Sequence, residues 1–269
     1  MSNRLLKFGF HNFLNAQPVL VPLQKSAKQY GLEMVLGVPA ELAEQLSASK
    51  LDLAMIPTIE YFHRAEDYRL VPDVCIASRG AVRTVLLATR KPLEDIRSLA
   101  LDERSSTSVA LLKILFAGRL AKDVRFVSSQ PDISEMLKNH DAALIIGDQA
   151  FSVSPHPELE VYDLSEEWGR QTGKSFVHAV IAVRSEVNLE NKTLDYIARA
   201  RGEGLNKIDA IVDTYTQTHA LDAELCKEYL ENKIIYQLGK EELAGLIHFQ
   251  DLCCLNGLLA KKTPVIFLR

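Results

Sequence analysis

Four short segments carry polar groups of kinds that hold or transform a small anion. In Asn12-Phe13-Leu14-Asn15-Ala16-Gln17-Pro18, Asn15 lies between an apolar run and a helix start. There its amide and the first helical N–H groups face one way. Plain N-capping is the alternative. In Asp102-Glu103-Arg104-Ser105-Ser106-Thr107-Ser108, hydroxyls crowd a strand-to-helix turn. Free N–H groups beside Ser106 and Thr107 form a carboxylate-sized anion site. Charge-assisted hydrogen bonds contribute roughly 1.5–3 kcal/mol each, so three or four hold a carboxylate without a lysine. Ordinary capping explains this cluster too.

In Ile145-Ile146-Gly147-Asp148 an apolar strand ends on Gly-Asp. Ligands gather at the carboxyl ends of such strands. Gly147 suits a close backbone approach, and Asp148 is a ligand contact, a loop-fixing acceptor or a cap. In Arg79-Gly80-Ala81-Val82-Arg83-Thr84, Arg79 or Thr84 can face a ligand if the segment joins two lobes. Arg79 is otherwise a surface or inter-lobe charge. No nucleophile elbow, phosphate loop, dinucleotide fingerprint or zinc spacing is present. The histidines are scattered at 11, 63, 140, 156, 178, 219 and 248. His11 adjoins the first segment, although a strand-end histidine is usually structural, and Trp168 reads as packing.

The elements that position these segments alternate. Leu5–Phe10, Glu33–Val38 and Leu51–Ile56 read as strands, with helices opening at Pro18 and Pro39. Val74–Ser78 and Val82–Thr89 read as long strands that carry the chain between lobes. A second α/β set follows: strands Leu99–Asp102, Val124–Val127 and Ala142–Ile146, with helices Thr107–Arg119 and Pro131–Asn139. A loop region runs to Gly173, and Phe176–Val183 is the return crossing. From Asn188 the pattern is helical. This order is the layout of an α/β, two-lobed, periplasmic-binding-protein-like type II fold with two crossing strands, which the resemblance given below also favours; periodicity alone equally supports a single open sheet. Residues 1–86 and 182–269 form one lobe, and 87–181 the other.

Formal charge is −4, with 31 basic and 35 acidic residues, so no basic field favours nucleic acid or an anionic membrane. No apolar run approaches the roughly 20 residues of a membrane span. The start, Met-Ser-Asn-Arg-Leu-Leu-Lys, has no apolar leader pattern. Cys75, Cys226, Cys253 and Cys254 lack metal-ligand spacing and read as buried reduced thiols. A cytoplasmic location is expected.

Taken in series, the segments resemble the chorismate dehydratases of the futalosine route to menaquinone. The similarity runs through Phe13-Leu14-Asn15-Ala16-Gln17-Pro18, Leu53 to Tyr61, Cys75 to Val85, Ser105 to Leu111, Ile146-Gly147-Asp148, Tyr162 to Leu164, Trp168, Thr172-Gly173, Phe176-Val177 and the tail from Tyr229 to Leu238 and Gly245-Leu246. The resemblance implies removal of water from chorismate without a cofactor; no metal is expected, and a monomer or homodimer is expected. It puts Asn15 and Thr84 where such enzymes place polar contacts to substrate, and Ser106, Thr107, Gly147 and Asp148 in matching motifs; Asn15 and Thr84 are the expected catalytic residues, and these four with Arg79 from the crossing are the expected substrate contacts. Three departures stand out. Ser106 occupies a place where the family often has Arg, with Arg104 two residues earlier. Lys174-Ser175-Phe176-Val177-His178 replaces Leu-Pro-Phe-Val-Phe, and Thr84 stands for a common Ser.

For such a substrate, the C3 hydrogen is vinylogous to the ring carboxylate. Its removal gives an extended enolate, and loss of the neighbouring hydroxyl gives a benzene ring. Neutral donors such as Asn15, Thr84 and the Ser106/Thr107 turn suit that developing charge. The substrate's own enolpyruvyl carboxylate is the expected proton acceptor, with Asp148 as the competing base. Two other readings remain: the dihydroxynaphthoate synthase of the same pathway, and a non-catalytic carboxylate-binding protein.

Overall fold

The apolar runs of the sequence build two separate sheets. The structure, a computed structural model, describes residues 4–153 and 157–268, so Met1-Ser2-Asn3 and His156 lie outside the described residues. The first stretch runs β1 (Leu6–Phe10), α1 (Gln17–Ser26), β2 (Leu32–Leu36), α2 (Pro39–Ser47), β3 (Leu53–Pro57), α3 (Thr58–His63) and β4 (Tyr68–Ser78). The second runs β5 (Val85–Thr89), β6 (Ser98–Asp102), α4 (Ser106–Leu115), β7 (Arg125–Ser129), α5 (Ile133–Asn139), β8 (Ala142–Ile146), β9 (Glu160–Asp163) and α6 (Leu164–Thr172). The chain then returns with β10 (Phe176–Arg184), α7 (Asn191–Leu205), α8 (Ile208–Thr216), α9 (Ala223–Asn232), β11 (Ile234–Ile235) and α10 (Lys240–Leu255).

Strand order is β11-β4-β10-β3-β1-β2 in one sheet and β7-β6-β8-β5-β9 in the other. The chain changes sheet between Ser78 and Val85 and again between Thr172 and Phe176. In each sheet a parallel core, β2-β1-β3 or β7-β6-β8, meets an antiparallel neighbour. Strands β3, β5 and β8 are buried along their whole length, which is why they read as unbroken apolar runs. The four parallel strands β1, β3, β6 and β8 end toward the residues singled out above.

Proline and glycine set the local exceptions. Pro18 opens α1 where no N–H is needed, and Pro22 then sits inside the helix. Lacking an N–H, Pro22 leaves the Pro18 carbonyl without its usual i+4 donor. Gly204 of α7 abuts that carbonyl, and a Cβ there would lie 1.6 Å from the Pro18 oxygen. β4 begins at Tyr68 rather than Val74 and contains Pro72. Asp73 has φ +61°, and the pairing of β4 with β10 shifts register around this point, the mark of a β-bulge.

The region expected to be a loop up to Gly173 holds β9 and α6. Asp163 caps α6 by accepting from Ser165 and Glu166 N–H, and Gly173 ends it at φ +69°. Trp168 is fully buried, packs against Phe176 and Phe249, and donates its Nε1–H to the Ser175 carbonyl at 3.2 Å. The four cysteines are unpaired thiols, three of them buried. Among the described residues no helix is long and apolar enough to cross a membrane.

Candidate active site

After β1 the chain enters a 3-10 turn, Leu14–Ala16, that carries Asn15. Two side chains fix this turn. The Gln17 amide donates to the carbonyls of Asn12 at 2.7 Å and Phe13 at 3.3 Å. From the other half of the molecule, the Asp148 carboxylate accepts the Leu14 N–H at 3.2 and 3.3 Å and the Tyr215 hydroxyl. The Asn15 side chain lines the same cleft as Tyr229. Its Oδ1 is buried and has no hydrogen-bond partner among the described residues.

Thr84 is set by the first crossing. Asp163 accepts the N–H groups of Val82 at 2.8 Å and Arg83 at 2.6 Å, holding Arg83 at φ +63°. One carboxylate therefore caps α6 and shapes the crossing. Gly147 N–H donates to the Thr84 carbonyl at 2.9 Å, and Thr84 Oγ1 lies 2.9 Å from the Tyr229 hydroxyl.

At the start of α4, Ser105 is the N-cap and accepts from Ser108 N–H at 3.2 Å. Thr107 Oγ1 accepts the Ile59 N–H at 3.2 Å, linking this helix to α3 in the first half. Arg104 is about nine-tenths buried and makes a two-pronged pair with the buried Asp102, at 2.8 and 2.6 Å. It also donates to the Ile146 carbonyl at 3.0 Å and Gln149 at 2.8 Å, and its guanidinium lies 5.3 Å from the centre of the Phe13 ring. The pair is buried, but its hydrogen bonds are made, which such a pair requires.

These segments meet at one partly enclosed cleft, lined by Asn15, Thr84, Thr107, Gly147, Arg104 and Tyr229. His11 and His178 also face it. Burial lowers each imidazole to about 4, leaving both neutral near pH 7. His178 Nε2 is 2.8 Å from Ser78 Oγ, and His11 Nδ1 has no partner among the described residues. The cleft therefore offers neutral hydroxyl, amide and imidazole groups, the open end of a helix and one guanidinium. That is a donor-rich chamber for an anion.

Of the sequence-expected residues, the structure brings Asn15, Thr84, Thr107 and Gly147 to the cleft. Three lie elsewhere. Arg79 is on the surface in an ion pair with Glu241 at 2.8 Å, because the crossing turns it outward. Ser106, at the first helical position, faces a separate groove with Ile59, His63 and Lys113. Asp148 does not line the cleft, because its oxygens are taken by Leu14 and Tyr215. Gly147 is needed for its φ of +66°, and a Cβ there would lie 3.4 Å from Phe13.

Sequence reasoning left out Arg104 and Tyr229 as cleft residues. For Arg104 a signal existed, a cation two places before the hydroxyl cluster. For Tyr229, more than 140 positions from Thr84, no local signal existed. Among the described residues no cluster of three or more His, Cys, Asp or Glu could hold a metal ion.

Two α/β halves joined by two crossings, with a cleft at strand ends and a helix start between them, define a periplasmic-binding-protein-like fold. A solved protein from Archaeoglobus fulgidus superimposes with TM-score 0.78 at 17% identity, covering 96% of this chain and 99% of that one. The periplasmic aliphatic sulphonate binding protein of Escherichia coli gives TM-score 0.65 at 17% identity, covering 99% and 94%. A profile of the menaquinone biosynthesis family matches residues 6–254, and the chain belongs to that family. Chorismate dehydratase of Thermus thermophilus is 29% identical, across 86% of this chain and 90% of its own length. Chorismate dehydratase of Campylobacter jejuni is 25% identical, across 91% and 96%.

Proposed function

We propose that the chain is a chorismate dehydratase, a hydro-lyase that converts chorismate to 3-[(1-carboxyvinyl)oxy]benzoate and water. The observation that carries this reading is the cleft itself. Asn15 and Thr84, from opposite sides, meet there beside the α4 N-terminus and Arg104. The chain's family and its relatives named as chorismate dehydratases supply the substrate class.

Chorismate is a dianion with a ring hydroxyl. The α4 start, with Ser105, Thr107 and Ser108 around its open N–H groups, and Arg104 supply the positive potential for its carboxylates. Asp102 behind Arg104 keeps that guanidinium oriented. Held there, the substrate loses its C3 proton to its own enolpyruvyl carboxylate, which the cleft fixes within reach. Negative charge spreads toward the ring carboxylate and is met by the preorganised donors. Expulsion of the hydroxyl then completes the aromatic ring. Asp148 is outside the cleft wall, so the substrate's carboxylate is the better-placed acceptor. The reaction belongs to the futalosine route to menaquinone, in the cytoplasm, with a monomer or homodimer closing each cleft by itself.

Incubating the purified protein with chorismate separates this reading from its rivals. The expected result is an aromatic product one water lighter than the substrate. Binding without conversion points to a carriage or sensing protein. Inertness toward chorismate with turnover of a cyclised futalosine derivative points to dihydroxynaphthoate synthase.

A further inference from the structure

Asp163 ends β9 and opens α6, and its two oxygens face different partners. Oδ1 accepts the N–H groups of Ser165 at 3.0 Å and Glu166 at 3.2 Å, which caps the helix. Oδ2 accepts those of Val82 at 2.8 Å and Arg83 at 2.6 Å, distant in sequence on the first crossing. The sheet fixes Asp163 itself, since it pairs with Leu86 of β5. It faces a separate outer groove with Leu86 and Val161.

The crossing needs that hold. Arg83 has φ +63°, in the left-handed region that is costly for a residue with a side chain and free for glycine. Where the same segment first turns this way, it uses a glycine, Gly80 at φ +80°. Arg83 is exposed, so burial of its side chain does not offset the strain. Successive N–H groups that converge around a left-handed residue form an anion-binding nest, and the anion here is the Asp163 carboxylate. Backbone strain of this kind persists only where the surroundings over-determine it, and it gathers at functional sites. The strained residue immediately precedes Thr84, which lines the cleft. Gly147 N–H anchors the Thr84 carbonyl at 2.9 Å, so the conformation of Arg83 decides where the Thr84 side chain sits relative to that anchor.

We propose that Asp163 is a positioning residue for the reaction: its Oδ2 holds Arg83 in the left-handed conformation that aims Thr84 into the cleft, while its Oδ1 caps α6. This rests on the dehydratase reading, in which Thr84 meets the substrate, and adds to it a residue that acts from outside the cleft. The carboxylate does no chemistry of its own. It offsets a strain that would otherwise relax by moving Thr84.

The test separates the two oxygens. Asp163→Ser keeps one oxygen on a shorter side chain, which caps α6, and releases the crossing. Arg83→Val leaves the carboxylate and the cap in place but sets a β-branched side chain at positive φ, which such residues resist most strongly. Both are compared with wild type, and with the double variant Asp163→Ser plus Arg83→Gly, for kcat and KM on chorismate and for melting temperature. Each single substitution should lower kcat roughly 10²-fold, the effect of a small misplacement made away from the chemistry, with KM changed much less. Adding Arg83→Gly to Asp163→Ser should recover about tenfold of that loss, because glycine takes the left-handed turn without the steric cost. A merely structural Asp163 predicts the opposite, since glycine then loosens an already weakened segment and turnover does not rise. Failure of the rescue overturns the proposal, and so does wild-type kcat in either single variant. Should Asp163→Ser fail to fold, Arg83→Val decides alone. A wild type that leaves chorismate intact removes the dehydratase reading and this proposal with it, whereas active wild type with indifferent variants removes only the proposal.

Discussion

His11 and His178 carry imidazoles that the fold keeps uncharged. Burial brings His11 from an ordinary value of 6.5 to about 4. In the unfolded chain it takes a proton near 6.5, and in the folded chain it refuses one until about 4. Between those values acid favours the unfolded chain, so stability falls as pH drops through this window. The slope from one such group is up to about 1.4 kcal/mol per pH unit. His11→Leu should therefore show a shallower decline between pH 6.5 and 4 than wild type, measured by urea unfolding at each pH. Parallel curves would remove the buried-imidazole account. At this scale the sequence was half legible. Asn15 and Thr84 could be found because they flank strand ends, where polar residues face a cleft. Tyr229 and His178 could not, because their place depends on which distant elements pack beside them. Arg79 and Ser106 had the right chemistry, but the turn and the helix phase point them away.

Helix and strand boundaries depend on a few backbone positions, and two glycines of α7 separate their causes. Gly202 has nothing within 4 Å of an added Cβ, whereas Gly204 meets the Pro18 carbonyl at 1.6 Å. Gly202→Ala should stabilise the protein by up to about 1 kcal/mol through helix propensity. Gly204→Ala should destabilise it by about 1–3 kcal/mol, since α1 must shift away. Equal effects in thermal melts would mean that α1 and α7 do not pack this closely. The strongly apolar strands and the proline-led helices were readable from the sequence alone. β9 and α6 were not. β9 is a four-residue edge strand, Glu-Val-Tyr-Asp, and α6 is short and polar. Their signals were the Asp163 cap and the Gly173 stop, which weigh little when no apolar stripe lies between them. β4 also reaches further back than Val74, through Pro72, and the bulge beside that residue is how the strand accommodates a missing donor.

Across the whole molecule, the two halves are clasped by contacts in and around the cleft wall. Asp148 holds Leu14 and Tyr215, Thr107 holds Ile59, and Phe13 lies against Arg104. Closure of this kind excludes water and assembles groups from both sides. Asp148→Asn keeps an acceptor but loses the charge and one lone-pair-rich oxygen, so the closed form is favoured less. It should raise KM by roughly tenfold, the size of one hydrogen bond to a charged group. A fall in kcat beyond about 10³-fold would instead make Asp148 the base. The two-half layout was legible only from the order of elements taken together with the family resemblance, since the periodicity by itself also allowed one open sheet. The clasp was not, because it joins residues such as Leu14 and Asp148 that no local pattern links.

The account turns on Asn15 meeting the substrate in this cleft. Its most direct test is the steady-state rate of chorismate dehydration by Asn15→Ala against wild type, on proteins with matching melting temperatures. The expected result is a folded protein that has lost turnover by roughly 10²-fold or more, as when one preorganised polar contact is removed. Turnover close to wild type would contradict the placement of the substrate beside Asn15, and with it the chemistry assigned to the cleft.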